Sequence, residues 1–297
     1  TEKLMSGNNQ NSSNPLQKYY RQPKLYIKLP SNGKFYPPGT LDFSETGEYA
    51  IYSMTAKDEL VMKTPDALLN GQATVDVIQS CIPNIKDAWK MPSIDLDVCL
   101  IAIRLATYGE QMSLNIKTPV TGEEKEMAVD LRQLLDSFAN LEYNDTVMLP
   151  EMIIKLRPLT YQEFTKGALK TFEEQRIFNI VNDEKITEED KLQAFTNSFV
   201  KLTELTVDMM TKGISSIQIS DPSSEEPIVV SNKEHIVDFI KNADKQFFNK
   251  VQEHLEEEKN KFTIKPLIAQ ATPEEIEQGV PETYEVPITF DQSNFFG

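Results

Sequence analysis

Residues 93–110, SIDLDVCLIAIRLATYGE, constrain the fold more than any other segment of the chain. Ile94, Val98, Ile101, Leu105 and Tyr108 recur at helical spacing, Leu96, Leu100 and Ile103 widen the apolar side, and Gly109 follows as a stop signal. A helix that is apolar around most of its circumference is stable only when other elements enclose it. The spacing therefore predicts a helix, opened by Ser93, in the middle of a domain core. Its longest unbroken apolar run, residues 98–103, is far short of the roughly twenty residues that span a bilayer.

The segment LYIKLPSNGKFYPPGTLDF, residues 25–43, supplies the first material for that enclosure. Leu25 to Leu29 reads as a short strand that Pro30 ends. Asn32-Gly33 adopts positive φ at low cost, and Pro37-Pro38-Gly39 makes a second break. Leu41 to Phe43 and Tyr49 to Ser53 read as further strands, giving a small β-unit with aromatic side chains on at least one face. Thr55 with Asp58 is a capping signal for a helix, and an apolar face continues through Val75, Val77 and Ile78 to Cys81. Beyond the central helix the period changes. MSLNIKTPV and EKEMAVDL alternate about Thr121-Gly122 and predict a β-hairpin, and residues 147–156 predict another ribbon.

The second half reads as mainly helical. Thr160 and Glu163 form a capping box for a helix over about 161–182, and Thr187 caps one running to about Met210. Leu192, Phe195, Phe199, Leu202, Leu205 and Met209 share one side of the latter. Ile214–Ile219 and Ile228–Val230 form a short β-like excursion. Ser231 with Glu234 predicts the cap of one long helix to about Phe262, with Glu256, Glu257 and Glu258 on a solvated face. The strand-to-helix turns at Ser53-Met54-Thr55 and Pro158-Leu159-Thr160 echo one another, either as a duplication or as two ordinary turns. The fold class is α+β: an N-terminal β-ribbon, central helices with a β-hairpin, C-terminal long helices and an extended tail. The expected divisions are a disordered arm over 1–23, a mixed domain over 24–158, a mainly helical domain over 159–262 and the tail over 263–297.

Thirty basic residues against 46 acidic ones give a formal charge of −16. Phosphate binding rests on clustered Lys and Arg, so this balance argues against nucleic acid, and equally against an anionic membrane surface. It favours solubility and a basic protein partner. Residues 1–20 are polar and lack the apolar core of a signal peptide. Cys81 and Cys99 lie in apolar helical contexts, as buried thiols of a reducing compartment do. His235 and His254, placed on one predicted helix, stand nearly 30 Å apart at about 1.5 Å per residue and cannot share a metal. No nucleotide-binding, zinc-protease or nucleophile-elbow motif is present, and Asp95 and Asp97 point to different helix faces. These readings predict no enzyme, no cofactor and no metal.

Three groups of residues carry a resemblance: Leu29-Pro30-Ser31-Asn32-Gly33-Lys34-Phe35-Tyr36-Pro37, the turn at Met54-Thr55-Ala56-Lys57-Asp58-Glu59, and residues 101–109, IAIRLATYG. Together they resemble the baseplate hub subunit and hub-assembly proteins of T-even-type contractile-tailed bacteriophages, over about residues 24–165. The closing Val286-Pro287-Ile288-Thr289-Phe290-Asp291 and Phe295-Phe296 resemble the tails of longer members. Some relatives carry a cysteine-bearing knuckle in the hairpin after the Tyr-Gly turn, where this chain has only residues 117–125, KTPVTGEEK. The resemblance implies a protein of the virion tail baseplate, present in the host cytoplasm during assembly, with other phage tail or hub proteins as partners and no enzymatic role. A transient tail-assembly chaperone and an unrecognised hydrolase remain as alternatives.

Aromatic residues on proline-stiffened segments lose little entropy on docking. The contact candidates are therefore Tyr26, Phe35, Tyr36 and Phe43 near one end and Phe290, Phe295 and Phe296 at the other. Trp89, in a proline-bounded loop, is either a core anchor or a contact hot spot. The terminal aromatics either fold back on the body or insert into a neighbour.

Overall fold

The computed structural model describes residues 14–64, 71–180, 187–220 and 226–288. The apolar segment forms a 3-10 turn, Ser93–Asp95, that runs into helix α3 (Leu96–Tyr108). Every residue from Val98 to Leu105 is buried. Gly109, at φ 94°, ends the helix where a side chain would be strained. Ser93 does not cap it. Its N–H instead donates to Leu159 O at 2.8 Å, and the N–H of Tyr161 donates to Met91 O at 2.8 Å. The start of the helix is thus tied to a segment far along the chain.

Three layers enclose α3. The ribbon contributes β1 (Leu25–Ile27) and β2 (Tyr49–Ile51), paired antiparallel, while Leu41 makes only an isolated bridge to Ile85. Helices α1 (Ala56–Met62) and α2 (Gln72–Cys81) follow. The expected hairpin is β3 (Gln111–Lys117) and β4 (Glu124–Asp130), with Lys117 opposite Glu124. In β3, Met112, Leu114 and Ile116 alternate into the core. Asp130 then caps a short helix, α4 (Leu131–Asp136), directly after the hairpin.

The second core gathers elements that are distant in sequence. Strands β5 (Thr146–Leu149) and β6 (Met152–Leu156) extend into a four-stranded antiparallel sheet through β7 (Ile214–Ile219) and β8 (Ile228–Val230). Helices α5 (Tyr161–Ile180) and α6 (Glu188–Gly213) form the long pair that connects β6 to β7. Ile154, Leu156, Ile214 and Ile217 pack with Ile236, Ile240, Phe247 and Val251.

Two local expectations are corrected here. Asn232, not Ser231, accepts from the N–H groups of Glu234 and His235 and caps α7 (Lys233–Asn242). The predicted single helix then breaks at Ala243, and Asp244 caps α8 (Lys245–Lys261) by accepting from Phe247 N at 2.7 Å. His235 and His254 therefore sit on different helices. Phe239 and Phe247, with ring centroids 4.8 Å apart, face each other across this break, a contact that a straight helix would forbid. Glu256 and Glu257 are solvated, but Glu258 is buried, accepting from Asn144 N and pairing with Lys261.

Beyond α8, β9 (Leu267–Gln270) and β10 (Thr283–Val286) pair antiparallel around a short helix, α9 (Pro273–Glu277). Ala269 and Val286 join the first core, and Ile288 packs against it. The extended stretch over residues 263–288 thus folds back on the body, where it forms a strand pair. At the other end Arg21 reaches in from the segment expected to be a disordered arm. Its guanidinium donates to Ser80 O at 2.7 Å and to Ser53 O.

Replacing Asp244 by Ala removes a helix cap at the break. Urea unfolding is expected to show a loss of about 1 kcal/mol, and Glu256→Ala, on the solvated face, a change within about 0.5 kcal/mol.

Candidate protein interface

The ribbon's shape is set by one buried carboxylate. Asp95 is fully buried at the foot of α3. Its Oδ1 accepts from Ser31 N at 2.7 Å, and its Oδ2 accepts from Ser31 Oγ at 2.6 Å and from Tyr36 Oη at 3.0 Å. Burial pushes its pKa up to about 6 although these hydrogen bonds pull it down. Burial first, and then the charge of Asp95, raises the Tyr36 phenol well above its ordinary value, so Tyr36 remains a donor. Two residues on, Asp97 accepts from Ile264 N at 3.1 Å, and burial pushes its pKa up to about 6 as well. The two carboxylates thus serve opposite ends of the chain, one holding the ribbon and the other the start of the C-terminal strand pair.

The turn itself is tight. Asn32 and Gly33 have positive φ as expected, and a Cβ at Gly33 would lie 2.8 Å from a ring carbon of Phe43. Phe35 also has positive φ, 69°, which costs a bulky residue about 1–3 kcal/mol. It is held by an edge contact with Tyr143, ring centroids 5.5 Å apart.

The sequence-predicted contact residues separate into three groups. Tyr26 and Phe43 are presented to solvent, 61% and 68% exposed. Phe35, Tyr36 and Trp89 are half-buried against the chain itself: Phe35 on Tyr143, Tyr36 on Asp95, and Trp89 stacked on Tyr161 at 5.5 Å. Phe290, Phe295 and Phe296 lie outside the described residues.

Several features of the site escaped the sequence. A cavity of about 570 Å³ lies where the two cores meet, walled by Leu96, Phe164, Met209, Leu255 and Phe262 with Asp97 at its edge. The two echoing helix caps share more than their boxes. Asp58 accepts from Thr55 N at 2.7 Å and faces Arg21 at 3.5 Å. Glu163 accepts from Thr160 N at 2.9 Å and receives a bidentate pair from Arg157 at 2.8 and 2.9 Å. Burial opposes ionisation of Glu163, but the Arg157 and Thr160 contacts outweigh it and lower its pKa to about 2. The surrounding strands differ, since β2 pairs with β1 alone and β6 lies between β5 and β7. Only the spacing of acid to capping Thr was visible beforehand; Arg21 reaches Asp58 from far upstream in the chain, whereas Arg157 stands just before its own cap.

Among the described residues, no group of three or more His, Cys, Asp or Glu side chains is placed to hold a metal ion, and no helix is long and apolar enough to cross a membrane. Cys81 and Cys99 are buried and unlinked, and burial pushes the Cys81 thiol up to about 12.

A mixed α+β chain with a stiffened aromatic ribbon is a fit scaffold for a structural assembly, and the comparison with known families gives that assembly. The family described as T4 bacteriophage base plate protein matches residues 22–269, and the chain belongs to it. It is a structural protein of the phage tail baseplate, as the resemblance in the ribbon, the Thr55 turn and the central helix implied. No curated protein and no solved structure matches the chain.

Asp95 and Asp97 hold their protons more tightly when folded than when unfolded, where an Asp pKa is about 3.9. The stability they contribute is therefore fully present below about pH 4 and is lost as the pH rises through about 6. Glu163 acts in the opposite sense. Its contribution is present above about pH 4.3 and is lost as the pH falls toward about 2. The melting temperature is expected to rise between pH 7 and about 5 and to fall again below about 4. Asp95→Asn keeps an acceptor for Ser31 N and should flatten the upper limb in the same calorimetric series.

Proposed function

We propose that this baseplate protein is a subunit of the hub region that works by binding other tail proteins and turns over no substrate. The observation that carries this reading is the exposure of Tyr26 and Phe43 on a ribbon locked by Asp95. Large rings held on a preordered backbone lose little freedom when a partner covers them, so their burial is retained as affinity. A stable interface of this kind buries on the order of 1,600 Å² in total, more than two rings supply, so the ribbon is one part of a larger contact surface. The acidic balance of the chain favours basic neighbours and disfavours nucleic acid.

Mass spectrometry of purified particles beside infected-cell lysate tests the role. A fixed copy number in baseplates supports a retained subunit. Presence in lysate complexes but absence from particles would instead establish the transient chaperone. Tyr26→Ser combined with Phe43→Ser is expected to weaken recovery with tail proteins by about tenfold, equivalent to about 1.4 kcal/mol, with little change in melting temperature. Full recovery of partners by the double variant would remove the ribbon from the interface.

A further inference from the structure

Where the two cores meet, polar ties hold the walls of the cavity of about 570 Å³ apart. Ser93 N donates to Leu159 O at 2.8 Å, Arg157 N donates to Gly213 O at 2.8 Å, and Ile264 N donates to Asp97 Oδ2 at 3.1 Å. The walls cannot close on one another without breaking such bonds, and an unmade buried hydrogen bond is costly. Met210 and Phe262 are buried at the floor, and Leu96, Phe164 and Leu255 are half-buried in the walls. Thr206, Glu256 and Lys259 are exposed at the mouth. Ligand sites typically have volumes of about 300–1,000 Å³ and apolar walls with a few polar groups, and this cavity has both properties.

The charged residues of the lining narrow the occupant. They are Asp97, Arg157, Glu256 and Lys259. Glu256 and Lys259 are exposed, opposite in sign and close together on α8, so solvent and each other's charge leave little net field at the mouth. Arg157 is engaged by Glu163 through two hydrogen bonds, at 2.8 and 2.9 Å. Asp97 differs from these. Its Oδ2 accepts from Ile264 N, and the side chain makes no other hydrogen bond or ion pair among the described residues. Burial holds its pKa at about 6, so at neutral pH it is still mostly ionised. The cost of taking this carboxylate out of water is incurred with no counter-charge to offset it. A cation on an apolar stem supplies what is missing. An anion would meet Asp97 with like charge, and an uncharged apolar group would leave Oδ1 without a partner.

We propose that this cavity receives a lysine of another tail protein, its ammonium donating to Asp97 Oδ1 and its apolar neighbours packing on Leu96, Phe164 and Leu255. The inference rests on the reading of the chain as a protein that works by binding. Lysine fits better than arginine. A guanidinium is matched to both oxygens of a carboxylate, and Ile264 N already occupies Oδ2. An ammonium acts as a point charge and needs only the remaining oxygen, while its four-carbon stem covers apolar wall. The cavity is larger than one lysine requires, so flanking apolar side chains of the same segment fill the rest. Such a lysine is an anchor within a larger interface, held where water is excluded and the charge pair is strongest.

The test uses the full chain with carbon-13 in its methionine methyls, because Met209 and Met210 line the cavity and report on it directly by NMR. The probe is a capped synthetic peptide, Gly-Leu-Lys-Leu-Gly. Saturable shifts of the Met209 and Met210 methyls are expected, weakened about tenfold when norleucine replaces the lysine and lost when glutamate does. Asp97→Asn keeps an acceptor for Ile264 N and is expected to bind the lysine and norleucine peptides alike. Thr206→Trp, at the exposed mouth, is expected to block both, and serves if Asp97→Asn melts early. The proposal is overturned if the lysine peptide moves neither methyl, if the parent chain binds lysine and norleucine peptides alike, or if both variants bind as the parent does. Butylamine that shifts the two methyls where the peptide does not would overturn it by naming a free amine as the occupant. A stable dimer in sedimentation that Thr206→Trp dissociates would overturn it by naming a second copy. Incorporation of the Thr206→Trp chain into baseplates is scored separately. Normal incorporation together with a failed peptide test rejects the lysine site while leaving the structural role intact.

Discussion

A single carboxylate at the foot of a buried helix organises the first half of this protein. Asp95 lies at the N-terminal end of α3, where an acidic group is favourable, yet its oxygens do not cap the helix. They accept from a backbone N–H, a serine hydroxyl and a tyrosine hydroxyl of the ribbon. Removing a carboxylate from water is costly unless its lone pairs are satisfied, and these three donors offset that cost only while the ribbon keeps its conformation. The ribbon is therefore coupled to the helix core and holds its turn, including the strained backbone of Phe35. Rigidity at the surface follows from a polar requirement in the interior.

The same logic joins the two cores. Met91, Ser93, Leu159 and Tyr161 exchange backbone hydrogen bonds, and Asp97 holds Ile264. Arg157 links a helix cap to the sheet, since its N–H donates to Gly213 O while its side chain grips Glu163. Polar ties of this kind fix orientation without filling volume, and a cavity remains between the cores where apolar walls face one another without contact. The long pair α5 and α6 leaves this junction with Phe172 and Phe199 exposed.

Much of the local structure was legible because it depends on spacing within a few residues. The alternation in residues 111–130 gave the hairpin and its inward Met112, Leu114 and Ile116, and Thr160 with Glu163 marked a helix start. Failures arose where two local signals competed. Ser231 and Asn232 both precede the helix, and geometry chose Asn232. The apolar period runs through Asp244 unbroken, yet that residue caps a new helix so that Phe239 and Phe247 can meet. Glu258 belongs by sequence to a solvated run and is buried because Asn144, far away in the chain, supplies its donor.

By itself, the sequence determined most of the longer elements, the enclosed position of the helix after Ser93, the turn at Asn32-Gly33 and the family resemblance, since each rests on side-chain period or turn chemistry read over neighbouring residues. The tertiary structure alone decided which strands share the four-stranded sheet, and that Tyr36 and Trp89 pack inward while Tyr26 and Phe43 face outward. Those outcomes depend on which distant segment occupies the adjacent space, and a short window of sequence carries no record of its neighbours across the fold.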